Sequence, residues 1–188
     1  ILRRLVGSEM CIRDRAGRYL SLEGAVIQMI NHGITSGALF MLVGFLYERR
    51  HTRRISDFGG LKKSMPIYAG IFLFTSFASI GLPGLNGFVG EFMILMGSFP
   101  TFNVLSSIAA FGVVLAAIYM LWAYQRMFNG ELTHEDNKNV LDLNSKEIVS
   151  VAPLLILMLF IGLYPSFIES YVVQDVSIIY ESINKTLG

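Results

Sequence analysis

Apolar residues gather into four long blocks, about 22–47, 67–99, 104–128 and 148–164, separated by polar stretches. Each block reaches the roughly 17–25 residues that a membrane-crossing helix needs. The second is too long for one straight crossing. As a continuous helix it would extend roughly 50 Å, against a hydrocarbon core of ~30 Å. Its middle carries Gly81, Pro83, Gly84 and Gly87, residues that interrupt a helix. The pattern therefore predicts an all-α, polytopic transmembrane helix bundle of about four spans, the second broken at Gly81–Gly87. Pro66, Pro100 and Pro165 punctuate the block edges. Tyr47, Tyr68, Trp122, Tyr124 and Tyr164 lie near block ends, where interfacial aromatic belts are expected.

This divides the chain into a transmembrane domain over 20–166, a polar C-terminal tail over 167–188 with some amphipathic helical character, and an atypical segment over 1–15. That first segment, ILRRLVGSEMCIRDR, bears no relation to the spans that follow. It resembles read-through sequence at the end of an assembled reading frame and is expected to be non-native, the alternative being a genuine basic loop joining an earlier span; the chain, which begins with Ile, reads as a fragment. Arg49, Arg50, Arg53, Arg54, Lys62 and Lys63 crowd the loop after the first block. The positive-inside rule puts that loop in the cytoplasm, or the matrix of a mitochondrion. The turn at Pro100 and Thr101 is then outside, the loop over 129–147 inside, and the tail outside.

Composition agrees with a multi-pass membrane protein. Of 188 residues 53% are hydrophobic and only 15% charged, with a mean hydropathy of +0.56, where a soluble domain carries about 25% charge. A net charge of +1 says nothing about nucleic acid by itself, but no basic, aromatic-laced patch appears and no nucleic-acid partner is expected. The lone Cys11 excludes an internal disulfide and a cysteine-held metal or iron–sulfur site. The first strongly apolar block is too long for a secretory signal peptide and has no small-residue cleavage site, so none is expected in this stretch. Asp57-Phe58-Gly59 is a loop turn out of kinase context, the Gly81–Gly87 segment lacks phosphate-loop spacing, and Asn184 heads a glycosylation sequon with little weight.

Three features carry candidate chemistry. Glu91 puts a carboxylate inside the broken block. Near the bilayer centre an ionised carboxylate costs a few kcal/mol on insertion scales, so taking up a proton is the cheap response; a group poised between the two forms suits a proton relay. Its bland alternative is an acid that closes off the restarted half-helix. Second, His32 lies about ten residues into the first span, ~15 Å deep. Gln28, His32, Thr35 and Ser36 follow i, i+4, i+7, i+8 spacing and form one polar stripe. Imidazole can hand a proton from one nitrogen to the other, yet a structural His at a helix interface explains the pattern as well. Third, the break leaves free backbone groups, lined by Thr75, Ser76, Ser79 and Asn86, and the helix restarting there points its positive dipole end into the membrane. The plain alternative is a kink that shapes packing. Gly33 and Gly37 spell a helix-packing GxxxG, and Glu23 is expected at the outer interface.

Three stretches carry a resemblance: EGAVIQMINHGITSGALFMLVGFLYERRHTR (Glu23 to Arg53), DFGGL (Asp57 to Leu61) and ASIGLPGLNGFVGEFMILMGSF (Ala78 to Phe99). They closely resemble the antiporter-like membrane subunits of proton-pumping NADH–quinone oxidoreductase (respiratory complex I), and GFVGEF with YERRHTR favours the subunit M branch, chain 4 in mitochondria. The resemblance extends from Glu23 to about Tyr164. It implies the last four helices of a fourteen-helix fold, with Glu91 as the carboxylate near the outer exit of a proton path and His32 on its central hydrophilic axis. It implies no cofactor in this chain: NADH, FMN, iron–sulfur clusters and quinone would be bound by other subunits. It also implies membrane-arm partner subunits and the lipid bilayer as surroundings, in a bacterial inner membrane or, if organellar, a mitochondrial one. The family's buried lysines lie in helices absent here, so this stretch alone is not expected to pump. Alternatives are a subunit of a Mrp-type cation/proton antiporter or energy-converting hydrogenase, and a structural membrane anchor.

Overall fold

The computed structural model describes the backbone of residues 2–132 and 134–187 and the side chains of residues 18–132 and 134–182. The side chains of 1–15, Cys11 among them, and the Asn184 sequon lie outside the described residues. Six α-helices follow in order: α1 Leu2–Arg50, α2 Pro66–Ile80, α3 Asn86–Ser98, α4 Asn103–Phe128, α5 Ser145–Leu163 and α6 Pro165–Leu187. No strand occurs among the described residues. Among the described residues three stretches are long and apolar enough to cross a membrane alone: Arg18–Arg50, Asn103–Phe128 and Ser145–Leu163. The fourth crossing is made by α2 and α3 end to end.

That α2 and α3 form one interrupted span follows from their partners on α1. The Tyr68 hydroxyl at the start of α2 donates to the Leu42 carbonyl at 2.9 Å. At the start of α3, Asn31 Nδ2 donates to the Asn86 carbonyl at 2.7 Å. Further along α3, Met93 packs against Gly24. As numbers rise along α2–α3 they fall along α1, so both half-helices run antiparallel to it. The break itself spans residues 81–85. Gly81 ends α2 in the left-handed conformation (φ 82°), and Leu82 N–H closes back on the Phe77 carbonyl at 3.0 Å, the usual glycine cap that satisfies the last carbonyls. Gly84 is also left-handed at φ 93°. Gly87 does not belong to the break, contrary to expectation. It lies in the first turn of α3, and a Cβ there would run into the Ala78 carbonyl of α2. Its role is close packing of the two half-helix ends.

Two further expectations need correction. Among the described residues Gly33 and Gly37 meet nothing within 4 Å, whereas Gly24, Gly87, Gly90 and Gly162 sit at close approaches; within this chain the helix-packing glycines are not the GxxxG pair. Tyr68 and Tyr124 are buried. They stack with Phe72 and Phe128 between α2 and α4, while Tyr47, Trp122 and Tyr164 remain exposed as belt residues would. Glu23 is buried within the bundle. The tail is helical, and α6 packs against α1: Val172 and Val176 are buried, and the Tyr19 hydroxyl donates to the Val173 carbonyl at 3.1 Å.

The charged end of the bundle is tightly knit. Arg49 forms a bidentate pair with Glu147, both contacts at 2.7 Å, and also donates to the Leu141 and Asp142 carbonyls. Asp142 accepts from the Ile67 and Tyr68 N–H groups at 2.8 and 3.0 Å, so a carboxylate caps the N-terminus of α2, where the helix dipole favours an anion. Asn144 and Glu147 form a capping box on α5. In the DFGGL turn, Phe58 and Leu61 are buried, and Gly60 (φ 65°) lies against the Glu131 backbone. Asp57 accepts hydrogen bonds from the Thr52 and Ser56 hydroxyls, which hold its carboxyl below the usual range.

Candidate functional site

Close contact between α1 and α3 creates the site, and two glycines permit it. A Cβ on Gly24 would stand 2.6 Å from Met93 Cβ, and one on Gly90 2.5 Å from Gln28 Oε1 and 2.9 Å from Gln28 Cα. These distances are far inside van der Waals contact, so the crossing exists only because side chains are missing there. At this crossing Gln28 Nε2 donates to Glu91 Oε1 at 3.2 Å. The other carboxylate oxygen, Oε2, lies over the Gly81 backbone, 2.5 Å from where a Cβ would be. Glu91 thus reaches back from α3 across the break. Among the described residues no Lys, Arg or His forms an ion pair with it.

On its other flank Glu91 lines an open cleft of about 300 Å³ between α3 and α4, with Ile94, Leu95, Ala109, Gly112 and Val113. The small residues of α4 keep that cleft open. One carboxylate therefore borders both the break and a separate groove. Measured along α1 at 1.5 Å per residue, the Gln28 level lies about 30 Å from Arg49 and about 15 Å from Arg18. Glu91 is accordingly nearer the Arg18 end of α1 than the Arg49 end.

A second polar junction lies one turn inward. Asn31 and Asn86 are both buried; besides the Asn31-to-Asn86 bond, Asn86 Nδ2 donates to Asn31 Oδ1 at 3.3 Å. The Thr35 hydroxyl donates to the Asn31 carbonyl at 2.9 Å. Asn31 is absent from the expected stripe. The available signal was its position, four residues before Thr35 and three after Gln28.

The expected stripe is in fact split between two faces. Ile27, Asn31, Thr35, Ala38, Leu42 and Leu46 form the buried face of α1. His32 is exposed on the adjoining face, where its ring meets the Ser36 hydroxyl at 3.3 Å. It makes no contact with Glu91; Gln28, one turn away, is the stripe residue that does. Thr75 and Ser76 hydroxyls donate back to the Ile71 and Phe72 carbonyls of their own helix, at 2.9 and 2.7 Å. Ser79 is half-buried in the last turn of α2. Pro83 and Gly84 lie in the connecting turn, and α5 packs over it through Gly162.

An interrupted span carrying a carboxylate at its break, packed in a bundle of apolar helices, defines a polytopic membrane protein with intramembrane polar machinery. The NADH:quinone oxidoreductase/Mrp antiporter transmembrane family matches residues 10–105, and the chain belongs to it. It is 42% identical over 173 residues to NADH-quinone oxidoreductase subunit M of Rhodobacter capsulatus, a match covering 92% of this chain and 34% of that protein. Subunit M of Mycobacterium tuberculosis (strain H37Rv) is 42% identical over 142 residues, covering 76% and 26%. Among solved structures, respiratory complex I from Thermus thermophilus with bound NADH superposes with a TM-score of 0.77 at 33% identity, over 92% of this chain and 35% of that one. The Mrp complex from Dietzia sp. DQ12-45-1b shares the fold, with a TM-score of 0.74 at 18% identity, over 86% and 38%. The chain spans about a third of the length of the curated relatives it matches.

Proposed function

We propose that this chain is part of a proton-translocating membrane-arm subunit of an NADH–quinone oxidoreductase, seated in a bacterial inner membrane, and that Glu91 carries the proton through the outer half of the path. The observation behind this reading is the placement of the Glu91 carboxylate. It is held by Gln28 at a break between two half-helices, has no cation beside it among the described residues, and borders a cleft on its far flank. A carboxylate between two differently lined spaces can take a proton from one and release it to the other. The free N–H groups at the start of α3 favour the ionised form after release, and the apolar cleft wall favours the neutral form before it.

In this reading His32 feeds Glu91 indirectly. It stands one helical turn from Gln28 on α1, so water must bridge the gap. Quinone reduction takes place in other subunits, which hold NADH, FMN, iron–sulfur clusters and quinone; its energy arrives as a change of charge in neighbouring membrane helices. A proton loaded on Glu91 then alters the field felt by the next group, which is coupling in the thermodynamic sense.

The test is Glu91→Gln in the assembled complex. The expected result is normal assembly with a reduced proton-to-electron ratio; an unchanged ratio refutes the reading. The Mrp complex shares the fold, so the second reading is a cation/proton antiporter subunit. It predicts sodium-dependent proton exchange without NADH, which the first reading does not.

A further inference from the structure

We infer that the Gln28 side-chain amide is a reversible partner of Glu91, donating through Nε2 when the carboxylate is ionised and accepting through Oε1 when it is protonated. This rests on Glu91 being a proton carrier, and assigns Gln28 as the positioning residue that accommodates both of its states.

Three observations carry it. First, Gln28 Nε2 donates to Glu91 Oε1 at 3.2 Å, the bond an ionised carboxylate needs, since that group can only accept. Second, Gln28 Oε1 is buried and has no hydrogen-bond partner. A buried acceptor left unpaired is unfavourable, and here it belongs to the same amide that already holds the candidate carrier. Third, the missing side chain of Gly90 leaves the room that Oε1 occupies, because a Cβ there would stand 2.5 Å from it.

A protonated Glu91 presents one O–H donor. Half a turn about the terminal torsion of Gln28 exchanges Nε2 and Oε1, and this sp³–sp² torsion is soft and roughly two-fold. The turned amide offers its carbonyl to the new O–H, so Oε1 gains a partner while Nε2 gives up its bond to Glu91 and takes the place beside Gly90. Gln28 is hydrogen-bonded to the Glu91 carboxyl, and the side chains that share the cleft with Glu91, Ile94, Leu95, Ala109, Val113 and Ala116, are all non-titratable. Gly81 meets the carboxyl through backbone alone. No charged neighbour on these elements therefore competes with the amide for either form. The proton balance is closed: Glu91 gains or loses one proton, and Gln28 only turns.

The experiment is redox-induced infrared difference spectroscopy on the assembled complex, alongside pumping rates. The Glu91 carboxylic band is assigned by its loss in Glu91→Gln. Glutamine side-chain labelling identifies the Gln28 amide band through its absence in Gln28→Met, a variant of similar length without donor or strong acceptor. In the unmodified complex the Gln28 band is expected to shift in step with the Glu91 band. In Gln28→Met the Glu91 band should persist at the higher frequency of a less hydrogen-bonded acid, with pumping slowed roughly tenfold or more, as suits loss of a bond to a charged group. A Glu91 band and pumping rate unchanged in Gln28→Met overturn the assignment while leaving Glu91 as carrier; so does a Gln28 band that stays still while Glu91 titrates. Should Gln28→Met fail to assemble, Gln28→Leu and Gln28→Ala provide the same band assignment and the unmodified complex decides. A proton-to-electron ratio unaffected by Glu91→Gln refutes the underlying reading instead, whatever Gln28 does.

Discussion

Replacing Gly90 by alanine probes the contact on which the site depends. The new Cβ would stand 2.5 Å from Gln28 Oε1, 2.8 Å from Gln28 Cβ and 2.9 Å from Gln28 Cα. Carbon atoms prefer ~3.5–4.0 Å, so the shortfall against Cα is about 0.6–1.1 Å. The obstacle is partly backbone, so turning a side chain cannot relieve it, and α1 must move away from α3. Overpacking of this kind costs about 1–3 kcal/mol. Alanine's better helix propensity returns up to ~1 kcal/mol. Moving the helices apart also stretches the 3.2 Å bond from Gln28 to Glu91 beyond hydrogen-bonding range, at a further cost of about 0.5–1.5 kcal/mol. The net expectation is a loss of roughly 0.5–4.5 kcal/mol. Thermal unfolding of the chain in lipid nanodiscs measures it, with Gly33→Ala as the control because nothing lies within 4 Å of that position. Gln28→Ala added to Gly90→Ala should recover little, since two of the three clashes remain. A Gly90→Ala chain as stable as the Gly33→Ala control refutes the close crossing of α1 and α3.

Other outcomes follow from the same geometry. Asn31→Leu removes the donor to the Asn86 carbonyl and should cost ~1–2 kcal/mol, read by the same unfolding measurement; no loss argues against the buried Asn31–Asn86 junction. Arg49→Ala strands Glu147, whose side chain is 12% exposed, and should destabilise by about 2 kcal/mol or more; simultaneous Glu147→Gln should restore part of it, and additivity of the two changes would count against a coupled pair. Order in the 51–64 loop should be pH-dependent. The hydroxyls of Thr52 and Ser56 hold the Asp57 carboxyl below its usual range, so the stabilisation is present above the ordinary carboxylate range and lost as pH falls through the depressed value. Hydrogen exchange across the loop measures this, and Thr52→Val should move the transition upward. Gly60→Ala, forced to φ 65° and against the Glu131 backbone, should loosen contact between the two inner loops, seen as faster exchange around residue 131.

Much of the bundle was legible in one dimension. Span positions follow from block length against bilayer thickness, and the interruption follows from Gly81, Pro83 and Gly84, whose backbone preferences are local. Glu91 stood out because a carboxylate in an apolar block has few explanations. The burial of Asn31 beside Asn86, with His32 turned outward, was not legible. An apolar membrane helix lacks the polar outer face that marks a soluble helix, so periodicity could not say which side of α1 meets α3. Gln28, His32, Thr35 and Ser36 fit one stripe by spacing, yet the helix rotation that buries Thr35 exposes His32.

Glycine roles divided along the same line. Gly81 and Gly84 are needed for their own backbone angles, and a local motif reveals that. Gly24, Gly90 and Gly162 are needed for what faces them, and only the partner helix reveals that. Tyr68 and Tyr124 lay near block ends and suggested an interfacial belt, but α2 and α4 enclose them. The sequence by itself determined the number of crossings, their break and the presence of an intramembrane acid, because chain length, glycine, proline and charge act through the bilayer and the local backbone. Tertiary structure alone decided that Gln28 meets Glu91 over the broken span, because that pairing depends on how closely two helices distant in sequence can approach.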